Sequence, residues 1–160
     1  RDVLPAYLNA MQRRHELSRP MKVVVDCGNG AAAVAAPEAL MLMGCDVVPL
    51  FLEVDGRFPN HAPDPADPDT LHDLRVTVRD VNADLGLAFD GDGDRLGVVL
   101  PDGELIYPDL MLKAGGAGSP LFFGEECYGF GDATLAAARL LGLLSRHPGP
   151  AVDFFAHADL

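Results

Sequence analysis

The chain has 160 residues, 49% of them apolar, and a formal net charge of −12 from 12 Lys and Arg against 24 Asp and Glu. That length fits one domain, or one domain with a small appendage, and the composition is that of a folded globular chain. The charge predicts no affinity for nucleic acid or an anionic membrane, because neutralising a phosphate backbone takes clustered Lys and Arg. No apolar run nears the ~18 residues of a spanning helix, and residues 1–5 do not begin a secretory signal. Cys27, Cys45 and Cys127 are odd in number, widely spaced and without a CxxC. That pattern predicts free thiols in a reducing compartment, the cytoplasm. An acidic chain that handles an anionic substrate needs local help from a divalent cation or a few placed arginines.

In chain order, apolar positions Val3, Leu4, Tyr7, Leu8, Met11 and Leu17 predict a helix over 2–17, with Pro5 in its first turn. Residues 21–26 form a β-branched apolar run and predict a buried strand. Cys27-Gly28-Asn29-Gly30 predicts a turn, 31–43 a helix closed by Gly44, and 45–51 a second buried strand. A stretch with Pro59, Pro63, Pro65 and Pro68 follows, too rich in proline for regular structure. Asp69 is the expected cap of a helix from Thr70 to about Asn82, with apolar positions Leu71, Leu74, Val78 and Val81. Residues 84–89 predict a third buried strand, and 96–107 a hairpin turning at Pro101-Asp102-Gly103. Strand, helix, strand, helix, strand with continuous apolar strands predicts an α/β fold, its sheet mostly parallel and covered on both faces. The pattern then breaks. A short helix over 109–114 meets Gly115-Gly116-Ala117-Gly118-Ser119-Pro120, which reads as a linker. A helix over 132–146 follows, and the tail from 147 shows no period.

Asp90-Gly91-Asp92-Gly93-Asp94-Arg95 leaves the end of the third strand. Three carboxylates at i, i+2 and i+4 repel by about 1 kcal/mol per pair at 4 Å in water, and more when buried. A bound hard cation offsets that, and Mg2+ prefers carboxylate and phosphate oxygens. The carboxyl end of a strand is where α/β sheets place ligands. An EF-hand loop starting at Asp90 needs Gly at its sixth position and Glu at its twelfth; Arg95 and Pro101 stand there, which excludes it. A haloacid-dehalogenase-like phosphatase, with Asp90 as nucleophile, is the weaker alternative, because Asp94 occupies the place where that pattern carries Thr or Val. Gly28-Asn29-Gly30 reads as a tight turn before it reads as a phosphate cradle.

The acidic loop after its apolar strand resembles the metal loop of the α-D-phosphohexomutase family. Val23 to Gly30 resembles the opening strand and turn of that family's second domain. Glu53-Val54-Asp55-Gly56-Arg57-Phe58-Pro59-Asn60-His61 and Pro63-Asp64-Pro65 resemble its connecting loop. The bacterial phosphomannomutase/phosphoglucomutase subgroup is the nearest in pattern. The resemblance implies a three-layer α/β/α domain over 1–114 with a mixed, mostly parallel sheet. It implies intramolecular phosphoryl transfer on a hexose phosphate (mannose or glucose 1- or 6-phosphate), with Mg2+ held by Asp90, Asp92 and Asp94. Arg95 would contact substrate or the transferring phosphate, and His61, more weakly, a substrate. Resemblance resumes over 121–160 as the end of the family's third domain, which makes 115–120 a linker or deletion junction. The family's Thr-Ala-Ser-His-Asn-Pro nucleophile loop and Gly-Glu-x-Ser-Gly-His sugar loop are not among these residues, so the chain alone is expected to be inactive. The alternative is a non-catalytic remnant or interaction module, and an exposed domain-docking face could drive association.

Overall fold

The computed structural model describes residues 2–106 and 131–156. The expected helix over 109–114 and the linker at 115–120 lie outside the described residues, as does Cys127.

The elements run α1 (Leu4–Arg14), β1 (Met21–Asp26), α2 (Ala36–Leu42), β2 (Cys45–Leu50), α3 (His72–Asp80), β3 (Leu85–Phe89), β4 (Leu96–Val99), β5 (Leu105–Ile106), α4 (Ala133–Arg146) and α5 (Ala151–Ala156). They build one five-stranded sheet in the order β2-β1-β3-β4-β5. β1 pairs in parallel with β2 and with β3, and the β4–β5 hairpin extends the sheet in antiparallel register, Phe89 opposite Leu96. β1 and β3 lie inside the sheet and are covered on both faces, which their unbroken apolar runs require. β2 is an edge strand and only partly buried, so the expectation of a fully buried second strand is corrected.

Side chains alternate across β1 and so feed two cores. Val23, Val25, Leu85, Leu87 and Val98 face α1, α2 and α4, whose Leu8, Met11, Leu40, Leu141 and Leu144 close over them. Val24, Ala88 and Val99 face the opposite way, against Leu71, Leu74 and Val78 at the start of and along α3. The result is helix, sheet, helix in three layers. α4 belongs to the same packed layer as α1 and α2. Its N-terminal Asp132 caps the helix by accepting from the Leu135 N–H at 2.9 Å and also takes the Tyr7 hydroxyl, at 3.0 Å to one oxygen. At its far end Ser145 Oγ accepts from the Ser18 N–H at 3.1 Å.

Cys27 and Cys45 are free, buried thiols. Burial first, and then the neighbouring Asp26 or Asp84 carboxylate, pushes each up to about 12.

Candidate metal centre

The chain leaves β1 to one side through α2 to reach β2, then crosses back through α3 to β3 on the other side. The carboxyl ends of β1 and β3 therefore flank a topological switch point, the crevice where open α/β sheets place ligands. Asp26 ends β1 there and Asp90 follows β3.

Asp90 is 2% exposed and organises its own loop. Its Oδ1 accepts the N–H groups of Gly93, Asp94 and Arg95, each at 3.0 Å, which folds the six-residue loop around one oxygen. Gly93 sits at φ +82, where a Cβ would be strained, and so permits that turn. Asp90 Oδ2 takes the Arg95 Nε–H at 2.8 Å, and Arg95 Nη1 reaches Asp64 Oδ1 at 3.1 Å. Asp92 and Asp94 are exposed, and one carboxylate oxygen from each of Asp90, Asp92 and Asp94 lies within 4.8 Å of the others.

Burial alone would push the Asp90 carboxyl up; the Arg95 backbone N–H, the Arg95 guanidinium and Asp94 outweigh it and hold Asp90 below the usual carboxylate range. Asp94 is pushed the other way, first by its hydrogen bond with Asp90, then by burial and by the charges of Asp90 and Asp92. The loop thus concentrates negative charge on three hard oxygens, with one arginine against it. That donor set fits a hard divalent cation. Two of the three carboxylates are open to solvent, which suits an ion that keeps several waters.

The Gly28-Asn29-Gly30 turn supports this loop from below. Ala31 N–H donates to Gly91 O at 3.0 Å, so the first amide of the following 3-10 turn is spent on the acidic loop. A Cβ on Gly30 would stand 2.9 Å from Gly91 O and 3.0 Å from Asp90 O, so the two backbones meet without a side chain between them. From above, Ala133 N–H donates to Gly93 O at 3.1 Å, which seats the start of α4 on the same loop.

The triad and Arg95 are brought together as the sequence predicts. His61 is not brought to them. Its ring packs edge-on to Phe51 with centroids 5.3 Å apart, and Nε2 lies 3.0 and 3.2 Å from the two oxygens of Asp26. Asp26 and Asp64 are the contact partners of His61 and Arg95, which pattern reading missed. The signal available was an Asp at the end of a buried strand and another just past His61, but their partners stand 35 and 31 positions away in sequence.

A family model for phosphoglucomutase/phosphomannomutase, alpha/beta/alpha domain II, matches residues 5–103. A phosphomannomutase/phosphoglucomutase of Pseudomonas aeruginosa is 46% identical over 155 residues, covering 92% of this chain and 32% of that protein. One from Pseudomonas syringae is 36% identical over 211 aligned positions, covering 96% of this chain and 45% of the relative. A crystal structure of a phosphoglucomutase/phosphomannomutase family protein from Burkholderia thailandensis superposes with a TM-score of 0.88 at 33% identity, covering 97% of this chain and 46% of that one. The chain spans about a third of the length of the Pseudomonas aeruginosa relative. With its mixed five-stranded sheet between helices and its acidic loop at the switch point, the chain belongs to the phosphoglucomutase/phosphomannomutase family and carries that family's alpha/beta/alpha domain II.

Proposed function

We propose that this chain contributes the Mg2+ site of a phosphohexose mutase, with Asp90, Asp92 and Asp94 holding the ion while a phosphoryl group moves within a hexose phosphate. The observation that carries the reading is the convergence of three carboxylate oxygens within 4.8 Å at the carboxyl end of β3. When bound, the ion supplies Lewis-acid stabilisation of the phosphoryl oxygens. The chain's own residues do the rest. Asp90 holds the loop closed, and Arg95 offers a planar guanidinium suited to two oxygens of a phosphate.

Catalysis needs a nucleophile from elsewhere. The chain's serines are Ser18, Ser119 and Ser145. Ser145 is buried and its hydroxyl donates to Gly142 O at 3.0 Å, which is a structural role. We therefore propose that the chain alone does not turn over a hexose phosphate, and that it works, where it works, in a reducing cytoplasm. We also propose that residues 115–120 are a junction between domain II and a piece resembling the end of domain III. What supports this is the family model, which matches residues 5–103 and stops short of that segment. A phosphatase reading needs Asp90 as the attacking group. Asp94 stands where that pattern carries Thr or Val, and the convergence of three carboxylates suits a cation better than a lone nucleophile.

Two measurements test the proposal. Calorimetry with Mg2+ and Mn2+ should show weak binding by the wild-type chain and about tenfold or greater loss in Asp92→Asn, one carboxylate ligand being worth a charge-assisted contact. Identical heats from both would remove the metal site. A coupled assay on glucose 1-phosphate, with glucose 1,6-bisphosphate supplied, should give no turnover, and activity there would overturn the incompetence of the isolated chain.

A further inference from the structure

The metal reading leaves one part of the switch point unexplained, the proline-rich loop that arches from Phe51 to Pro65. Two bulky residues in it, Phe51 at φ +52 and Phe58 at φ +49, hold a left-handed backbone. Each costs on the order of 1–3 kcal/mol and persists only where the surroundings over-determine it. Several ties do so. Asn29 Nδ2 donates to Glu53 O at 2.7 Å, Asn60 Nδ2 donates to Asn29 Oδ1 at 2.7 Å, and Asp55 N–H donates to Asn29 O at 3.0 Å. The deepest tie is His61. Its side chain is 14% exposed and its partner Asp26 only 1%. Nδ1–H donates to Ala62 O at 2.8 Å, and Nε2 faces the Asp26 carboxylate at 3.0 Å. Both ring nitrogens face acceptors, so the ring is held at two points.

The loop so tied forms a wall of the acidic site. A Cβ on Gly91 would lie 3.2 Å from the Phe58 ring and 3.3 Å from Pro63 Cγ, so these two side chains set the shape of the turn at Gly91. Asp64, next in the chain, holds Arg95 Nη1.

We propose that His61 is a positioning residue: paired with Asp26 at the end of β1, it pins the proline loop so that Phe58 and Pro63 shape the turn at Gly91 and Asp64 orients Arg95. His61 then acts without touching a substrate. The inference rests on the metal-site reading only for its last consequence, which is metal affinity. The orientation of Arg95 is independent of it.

The test uses 15N-labelled chain without metal, reading solvent exchange of the Arg95 Nε–H and of backbone amides, beside Mn2+ calorimetry. His61→Ala should speed exchange at Arg95 Nε–H and at loop amides by about tenfold or more, the value of one hydrogen bond to a charged group. Mn2+ binding should weaken by a similar factor, while β3 and α4 amides keep their protection. His61→Gln, which can still donate to Asp26, should return Arg95 exchange to within about threefold of wild type. Unchanged Arg95 exchange in His61→Ala overturns the proposal, and so does a loss spread equally over β3 and α4. If His61→Ala does not fold, His61→Phe decides, since it keeps a ring against Phe51 but cannot pair with Asp26: wild-type Arg95 exchange there sinks the idea. Should the wild-type chain bind no Mn2+, the metal site falls while the exchange measurement still rules on His61.

Discussion

Gly30 is where the Gly28-Asn29-Gly30 turn and the acidic loop touch through backbone alone. The three nearest atoms to a Cβ there are carbonyl oxygens at 2.9 to 3.1 Å, none of which can rotate away. Gly30→Ala should therefore cost about 1–3 kcal/mol, the usual penalty of overpacking. A urea midpoint measures this, and Mn2+ binding should weaken in the same variant because Asp90 and Gly91 are the atoms displaced. A midpoint within error of wild type would show that the two loops give way independently. At this scale the acidic triad was readable in the sequence, since its period and its strand lie within ten residues. Arg95 pairing with Asp64, and His61 with Asp26, were not readable. Those contacts are made by a loop returning across the sheet, and nothing local fixes which acidic residue it meets.

Elements show a similar division. β1 matches its predicted span, and β3 begins one residue later, because burial on both faces demands unbroken apolar runs. The alanine-rich stretch from 31 reads as one helix but forms a 3-10 turn over Ala31–Val34 and then α2 from Ala36. Pro37 explains the break, since it lacks an N–H for the carbonyl four residues back and fits only a first helical turn. The cap before α3 is likewise displaced. Asp67 accepts from the Asp69 N–H and starts a 3-10 turn at Pro68, so the α-helix begins at His72 and Asp69 is not the cap. α5 has six residues, too few to display a period, and so the tail read as shapeless. α4 was found where its periodicity put it, and its cap offers a test. Asp132→Ala removes both the Leu135 contact and the Tyr7 contact. It should destabilise by about 1–2 kcal/mol, seen as a lowered Tm, whereas an unchanged Tm would mean that α4 is held by its apolar face alone.

For the molecule as a whole, α4 is the element whose sequence position says least about its spatial one. It follows a segment that reads as a linker, yet its Ala137, Leu141 and Leu144 lie in the core beside Val98 of β4 and Leu8 of α1. A chain cut at 114 should therefore expose that apolar face of the sheet and lose cooperative thermal unfolding, with calorimetry or near-UV dichroism as the readout. A shortened chain that unfolds with the same Tm would show that α1 and α2 suffice.

The two buried thiols give the same fold a clock. Burial pushes both thiols up, to about 12, and the thiolate is the form that reacts, so the folded chain holds them inert. Cys27 follows β1 and Cys45 opens the edge strand, and both are buried, so a thiol reagent reaches either one through an opening of the structure around it. With Cys127 replaced by Ser, the labelling rate becomes a direct count of openings. Gly30→Ala and the cut at 114 should each quicken it, by about tenfold for every 1.4 kcal/mol of stability they remove.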